Sequence, residues 1–369
     1  MKIINIQTYL TQTSSSADGW SKIKPFLFVR LQTSDGIVGW GEAFTLDQRE
    51  HGIEQIILSL GQHLMSCCEV TPRTFRQLAK SIEACHPGLD YACAVSAIEI
   101  ALWDLLGKSL NVPVHQLLGG ALTKEIPLYV NTWSEQEIDI QALTDRCRHW
   151  VEQGYRAVKI YPLKYGGAIR AGECMKMLRD TLGDDIEILL DLGTPPNSYL
   201  SLETAREVAP YRPYWFEEPV SGEYLDVLSE LRLQSGLRIV TGEKHAGKAH
   251  FRDVLKLRAA DILNPDIAGS GGILEMLEIA AMAEAHAAFV SPHCWDSMTV
   301  ALAAVLQVCA VIPNAELAEI YPDYIVHGNQ FCRPDFSIQN GMAILSDAPG
   351  LGINIDETEL AKIATTRSL

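Results

Sequence analysis

Three short apolar runs in this chain each end in an acid: Ile186-Glu187-Ile188-Leu189-Leu190-Asp191, Tyr214-Trp215-Phe216-Glu217 and Arg238-Ile239-Val240-Thr241-Gly242-Glu243. The acids are evenly spaced, 217 − 191 = 26 and 243 − 217 = 26, one strand-plus-helix unit each time. Neighbouring parallel strands of that kind bring their last side chains together at one rim of a sheet. Three carboxylates there repel one another unless a cation neutralises them. An all-oxygen set with few protein ligands, leaving room for water and substrate, suits Mg²⁺ better than Ca²⁺. The plainer alternative, that such an acid caps the next helix or pairs with Lys or Arg, accounts for one residue more easily than for three at equal spacing.

A second pair has the same rhythm. Asp266 and His293 are 293 − 266 = 27 residues apart, again one unit, at the ends of Ile262-Leu263-Asn264-Pro265-Asp266 and Ala288-Phe289-Val290-Ser291-Pro292-His293. An aspartate beside a histidine fixes its tautomer, orients the ring and raises its pKa, which is a general acid/base dyad in form. A solitary strand-end histidine is more often structural; the aspartate in register is what favours the catalytic reading. His245, two residues beyond Glu243, falls at the same rim as a substrate contact or a support for the acids. Gly269-Ser270-Gly271-Gly272 lacks both G-x-G-x-x-G and a P-loop lysine, so it reads as a helix-entry turn, not a phosphate cradle.

The elements that must carry these residues follow from length and pattern. At 369 residues the chain has room for one large barrel and a smaller domain. A formal charge of −16 argues against nucleic acid or an anionic membrane as partner, so an anionic substrate must be drawn in locally. Nine scattered cysteines without a C-x-x-C pair suit buried thiols in a reducing cytoplasm, not a disulfide framework or zinc site. No leader pattern and no apolar run of about 18 residues is present, so a soluble cytoplasmic protein is expected.

The first residues alternate as an antiparallel sheet, with a turn at Asp35-Gly36 between Phe26–Leu31 and Ile37–Glu42. Helices are predicted over Glu50–Leu64, from Thr71 to Ser81, and over Ala94–Lys108 with a stop at Gly107. His115 reads as a packing or surface residue. Strands at Ile126–Asn131 and Ala157–Tyr161 precede the acid-bearing ones, and an eighth ends near Glu319, so strands and helices alternate as in a (β/α)₈ barrel.

Asp191, the run Trp215-Phe216-Glu217-Glu218-Pro219, Thr241-Gly242-Glu243, the helix around Trp103 and the turn Pro349-Gly350-Leu351-Gly352 together resemble the enolase superfamily, mandelate racemase subgroup, over nearly the whole chain. The resemblance implies an α/β fold: a modified (β/α)₈ TIM barrel, with an antiparallel contribution early in the barrel, and an N-terminal α+β capping domain. It places the capping domain at residues 1–120, the barrel at 121–320 and a returning C-terminal segment at 321–369. It implies Mg²⁺ on Asp191, Glu217 and Glu243, with Glu218 in a supporting position and the Asp266–His293 pair on one face of a carboxylate substrate. On the other face the family's K-x-K motif reads Lys159-Ile160-Tyr161, so the usual second lysine is a tyrosine, a poor base at neutral pH. Glu319 matches an acid that hydrogen-bonds the substrate carboxylate. The polar connection from Thr11 to Lys24 matches a loop over the barrel mouth, making Trp20 a candidate substrate contact.

The reaction implied is removal of the proton α to a carboxylate, giving an enediolate. With one strong dyad and the opposite lysine altered, dehydration of a sugar acid, by His293 alone or with Lys159 and Tyr161, is the expected outcome. Cycloisomerisation of a sugar lactone or anhydrosugar acid is the runner-up, racemisation or epimerisation is disfavoured, and a non-catalytic metal-binding homologue is a remote alternative. Relatives are often even-numbered homo-oligomers, so an oligomer is expected by analogy.

Overall fold

The chain, described here from a computed structural model over residues 1–12, 25–46, 48–134, 139–294 and 297–369, opens with an antiparallel meander. Strands β1 (Ile3–Thr11), β2 (Leu27–Thr33) and β3 (Val38–Ala43) pair in that order, and the chain's last strand, Ala364–Ser368, joins the free edge of β1. Gly36 takes φ 87° in the turn between β2 and β3, as the Asp-Gly pair predicts. Helices α1 (Glu50–Ser66), α2 (Pro72–Glu83), α3 (Leu89–Leu110) and the short α4 (Val114–Leu117) follow. Thr71 caps α2 through a reciprocal pair with Thr74.

Helix α3 does not stop at Gly107. It runs to Leu110, where Asn111 at φ 57° turns the chain and donates its N–H to the carbonyls of Gly107 and Lys108. An asparagine tolerates the left-handed conformation and supplies the stop that the glycine was expected to supply. Gly107 meets another need: a Cβ there would lie 2.6 Å from the Cα of Gly350, so only glycine lets the C-terminal turn lie against the helix.

The barrel alternates β4 (Glu125–Asn131), α5 (Ile140–Glu152), β5 (Ala157–Ile160), α6 (Ala168–Leu182), β6 (Glu187–Asp191), α7 (Ser198–Val208), β7 (Trp215–Glu217), α8 (Leu225–Ser235), β8 (Ile239–Thr241), α9 (Lys248–Lys256), β9 (Ile262–Leu263), α10 (Ile273–Ala285), β10 (Phe289–Val290), α11 (Thr299–Cys309), β11 (Ala318–Ile320) and α12 (Pro322–Gly328). β4 to β10 pair in sequence order, β11 pairs with β4, and a Val290–Ala315 bridge closes the ring. All of these ring pairings are parallel, and the antiparallel contribution expected early in the barrel falls on its first strand, β4. It comes from outside the ring: Met342–Ile344 of a C-terminal hairpin pairs antiparallel with Glu125–Pro127. β4 overshoots the barrel floor, its neighbours reaching only Leu128 onward, and the hairpin satisfies the exposed edge.

Inside the barrel, Tyr129, Ala157, Leu189, Trp215, Val240 and Ile262, one from each of β4 to β9, form a separate apolar cluster. Strand side chains alternate, so the next inward layer is made by the residues two positions later. Those are Asn131, Lys159, Asp191, Glu217, Gly242 and Asn264: the apolar plug is the floor of a polar mouth.

Buried carboxylates dock the N-terminal sheet and helices onto the barrel. Glu42 of β3 accepts the N–H groups of Met298 and Ala301 at the start of α11. Asp104 accepts that of Leu351. Glu99 accepts those of Ile273 and Leu274 at the start of α10, together with the Trp103 indole N–H. The glycine-rich stretch at 269–272 is thus a helix-entry turn whose positive end is met by an internal carboxylate. Burial pushes Glu99 from 4.5 up to about 7 against the donors that favour its charge. The folded state therefore binds this proton more tightly than the unfolded chain, and its stability should fall as pH rises from 4.5 to 7, by up to about 3 kcal/mol. Glu99→Gln removes the titration. Denaturant unfolding of both proteins across that range should show a flatter slope for the variant; parallel slopes would contradict the assignment.

Among the described residues no helix is long and apolar enough to cross a membrane. None of the nine cysteines forms a disulfide, and Cys93, Cys147, Cys174, Cys294, Cys309 and Cys332 are buried. His115 is buried too, its Nδ1 2.8 Å from Oε1 of Gln307, in a packing role.

Candidate active site

Asp191, Glu217 and Glu243 converge: one carboxylate oxygen from each lies within 4.8 Å of the others. They do not arrive in equal register, however. Asp191 pairs with Glu217 and Glu217 with Val240, so strand alternation would aim residue 242 inward, not 243. Gly242, at φ 144°, turns the chain one residue late and delivers Glu243 instead; a Cβ there would lie 2.8 Å from the Phe251 ring. The matching sequence interval hides this offset.

Two of the carboxylates are held by hydrogen-bond donors. Asp191 Oδ1 accepts from Gly193 N at 2.8 Å. Glu217 Oε1 accepts from Asn264 Nδ2 at 2.9 Å and Oε2 from the Trp215 indole at 3.1 Å. Burial raises all three carboxyls above their ordinary range, and neighbouring carboxylates add to it: Glu218 at Asp191, Asp191 and Glu243 at Glu217, Glu218 and Asp191 at Glu243. A cluster of acids that resists its own ionisation is a cluster suited to a divalent cation, which relieves both costs at once. The donor set, all oxygen and partly open to solvent at Glu243, fits such an ion.

Glu218 connects the loops around these ligands. Its carboxylate accepts from Thr241 Oγ1 at 2.7 Å, Lys244 Nζ at 3.0 Å and Thr194 Oγ1 at 3.4 Å, and its backbone sits at φ 44°, unusual for a non-glycine residue. Residues following Asp191, Glu217 and Glu243 are thereby tied to one side chain.

Asp266 and His293 form a parallel bridge at the ends of their strands. His293 Nδ1 lies 2.8 Å from Asp266 Oδ2, which places the Nδ1–H on the carboxylate and turns Nε2 toward the mouth. There Nε2 is 3.4 Å from Glu243 and 3.9 Å from Glu319. Burial alone would lower this imidazole, but the surrounding carboxylates push it up to about 10 in the absence of a cation. Phe44, reaching in from beyond β3, meets the ring edge-on at 6.1 Å.

Lys159 is fully buried, with its ammonium 2.7 Å from Glu319, 3.1 Å from Glu217 and 3.6 Å from Asp191. Burial opposes its charge, yet Glu217 and Glu319 hold it well above the ordinary lysine value. Lys159 and His293 in turn keep Glu319 ionised, down to about 2 despite burial. Tyr161 is half-buried at the end of β5, and burial pushes its phenol well above its usual range, outweighing the pull of Lys159. His245 stacks on His250 and meets Phe251 edge-on, and among the described residues its Nε2 has no hydrogen-bond partner. Trp20 lies outside the described residues. Asn131 and Asn264, absent from the sequence-derived set, could have been found by counting two residues beyond the apolar plug; Phe44 carried no such signal.

Two family models match the chain: the mandelate racemase / muconate lactonizing enzyme N-terminal domain over residues 9–119 and the enolase C-terminal domain-like model over residues 142–359. A D-galactonate dehydratase from Klebsiella pneumoniae (strain 342) is 30% identical over 360 residues, covering 94% of this chain and 92% of the relative. Among solved structures, an enolase from environmental genome sequencing of the Sargasso Sea superposes with a TM-score of 0.95 at 35% identity, covering 100% of this chain and 98% of that one. A 3,6-anhydro-D-galactonate cycloisomerase from Zobellia galactanivorans superposes with a TM-score of 0.89 at 25% identity, covering 99% and 100%.

Proposed function

This chain belongs to the mandelate racemase / muconate lactonizing enzyme family of the enolase superfamily, and from that premise we propose that it is a Mg²⁺-dependent dehydratase of a sugar acid. The observation that carries the reading is the shared mouth: His293 Nε2, backed by Asp266, points to within 3.4 Å of one member of the carboxylate triad. Base and cation site are thus close enough to act on one small carboxylate substrate.

Asp191, Glu217 and Glu243 are the residues that would hold Mg²⁺, and the ion would supply positive charge against the substrate carboxylate as the α-carbon loses its proton. His293 Nε2 takes that proton, and Asp266 steadies the imidazolium through Nδ1–H. Lys159, held protonated, acts as a fixed cation beside Glu217 and Glu319 and not as a base. The electron pair left on the α-carbon expels the β-hydroxyl. Tyr161 is too weak an acid to serve as a phenolate base, which disfavours two-base racemisation. Cycloisomerisation is the second reading, favoured by the solved cycloisomerase whose fold covers 99% of this chain.

Proton NMR in D₂O with Mg²⁺ tests the proposal on a panel of acid sugars, galactonate included, and anhydrosugar acids. Dehydration yields a 2-keto-3-deoxy acid that reacts with a keto reagent; cycloisomerisation conserves mass and changes ring state. Rapid build-up of the substrate epimer with neither product would point to a second base, and no α-proton exchange with any member of the panel would overturn the reading.

A further inference from the structure

Asn131 ends β4 two residues beyond Tyr129 of the apolar plug and is almost wholly buried. Its amide orientation is set from three sides. The backbone N–H of Trp133 donates to Oδ1 at 3.0 Å, so Nδ2 must face the other way. Nδ2 lies 2.9 Å from Glu319 Oε1, an ionised carboxylate that can only accept, and 2.9 Å from Tyr161 Oη. The two amide hydrogens are therefore given one to each oxygen, and Tyr161 is the acceptor in its bond with Asn131. Lys159, whose ammonium is 6.0 Å from the Tyr161 ring, is also only a donor. Among the described residues no group accepts the phenol proton, and the Asn131–Tyr161 bond is only partly buried. Its O–H is left to point into the mouth.

We propose that Asn131 is a positioning residue that fixes Tyr161 as a hydrogen-bond donor into the barrel mouth, where Tyr161 protonates the β-oxygen as it leaves. This rests on the dehydratase reading above. β5 stands across the closed ring from β10, so the two proton transfers come from different sides of the substrate. The step balances: His293 takes the α-proton, the Cα–H pair becomes the Cα–Cβ double bond, the Cβ–O bond breaks, and the Tyr161 proton completes water. Ketonisation then returns the enol O–H proton to Tyr161 and delivers the His293 proton to Cβ.

The test separates the two halves of the reaction in D₂O. Tyr161→Phe and Asn131→Asp are each expected to slow keto-acid formation about 100-fold while α-proton exchange stays within about 10-fold of wild type, because the aspartate accepts the phenol proton that the amide had turned away. The loss should fall on kcat, with KM changed by less than about 3-fold. Asn131→Asp in the Tyr161→Phe background should cost nothing further. Multiplicative losses, or equal losses of exchange and elimination, would overturn the proposal. A readout without substrate accompanies these: with ¹³Cζ-labelled tyrosine, the resonance absent from Tyr161→Phe should move in both Asn131→Asp and Asn131→Ala. An unmoved resonance overturns the hydrogen bond itself, whatever the activity. A moved resonance in a protein that neither exchanges nor eliminates overturns the dehydratase reading, and the donor role with it.

Discussion

His293→Asn is expected to lower turnover by at least about 10³-fold and to abolish α-proton exchange with solvent, because among the described residues no other group in the mouth is placed and ionised to take the proton. The asparagine preserves a polar contact with Asp266 but has no nitrogen lone pair to offer where Nε2 stood. Lys159 is locked as a cation by Glu217 and Glu319, and Tyr161 is held protonated by burial, so neither substitutes. Asp266→Asn should cost less, since it disturbs the tautomer and leaves the base in place. Exchange of the substrate α-proton measured by NMR is the deciding quantity. Wild-type exchange in His293→Asn would move the base to the opposite side of the barrel.

Chelation by EDTA, or Glu217→Gln, is expected to remove activity to a similar degree, with opposite signatures in stability. In the wild type, Mg²⁺ at 100 times its Kd should stabilise the fold by about 2.7 kcal/mol, since the unfolded chain has no assembled triad. In Glu217→Gln that gain should be lost. The metal-free variant should nevertheless be no less stable than metal-free wild type, to within about 1 kcal/mol, because it lacks a buried carboxylate whose charge is opposed by burial and by Asp191 and Glu243. Lys159 keeps Glu319 at 2.7 Å in either case. Thermal melts with and without Mg²⁺, beside a direct titration of the ion, read both effects. A variant that still gains stability from Mg²⁺ would show that the ion binds elsewhere.

What the sequence determined by itself was local and periodic. Alternation two residues beyond an apolar plug, repeated once per strand-plus-helix unit, is enough to bring Asp191 and Glu217 to one rim and to align Asp266 with His293, because strand pleat and unit length are short-range properties. The Asp35-Gly36 turn and the Thr71 cap were legible for the same reason. Tertiary structure decided whatever depended on residues distant along the chain. Gly242 brought Glu243 in out of register, at a position where the Phe251 ring leaves no room for a Cβ. Gly107 was spent on contact with Gly350, some 240 residues later, leaving Asn111 to end α3. Lys159 became a buried cation because Glu217 and Glu319 close around it from two other strands. Asn131 acquired a direction only when Trp133, Glu319 and Tyr161 surrounded its amide, because the polarity of a hydrogen bond belongs to the network and not to the residue.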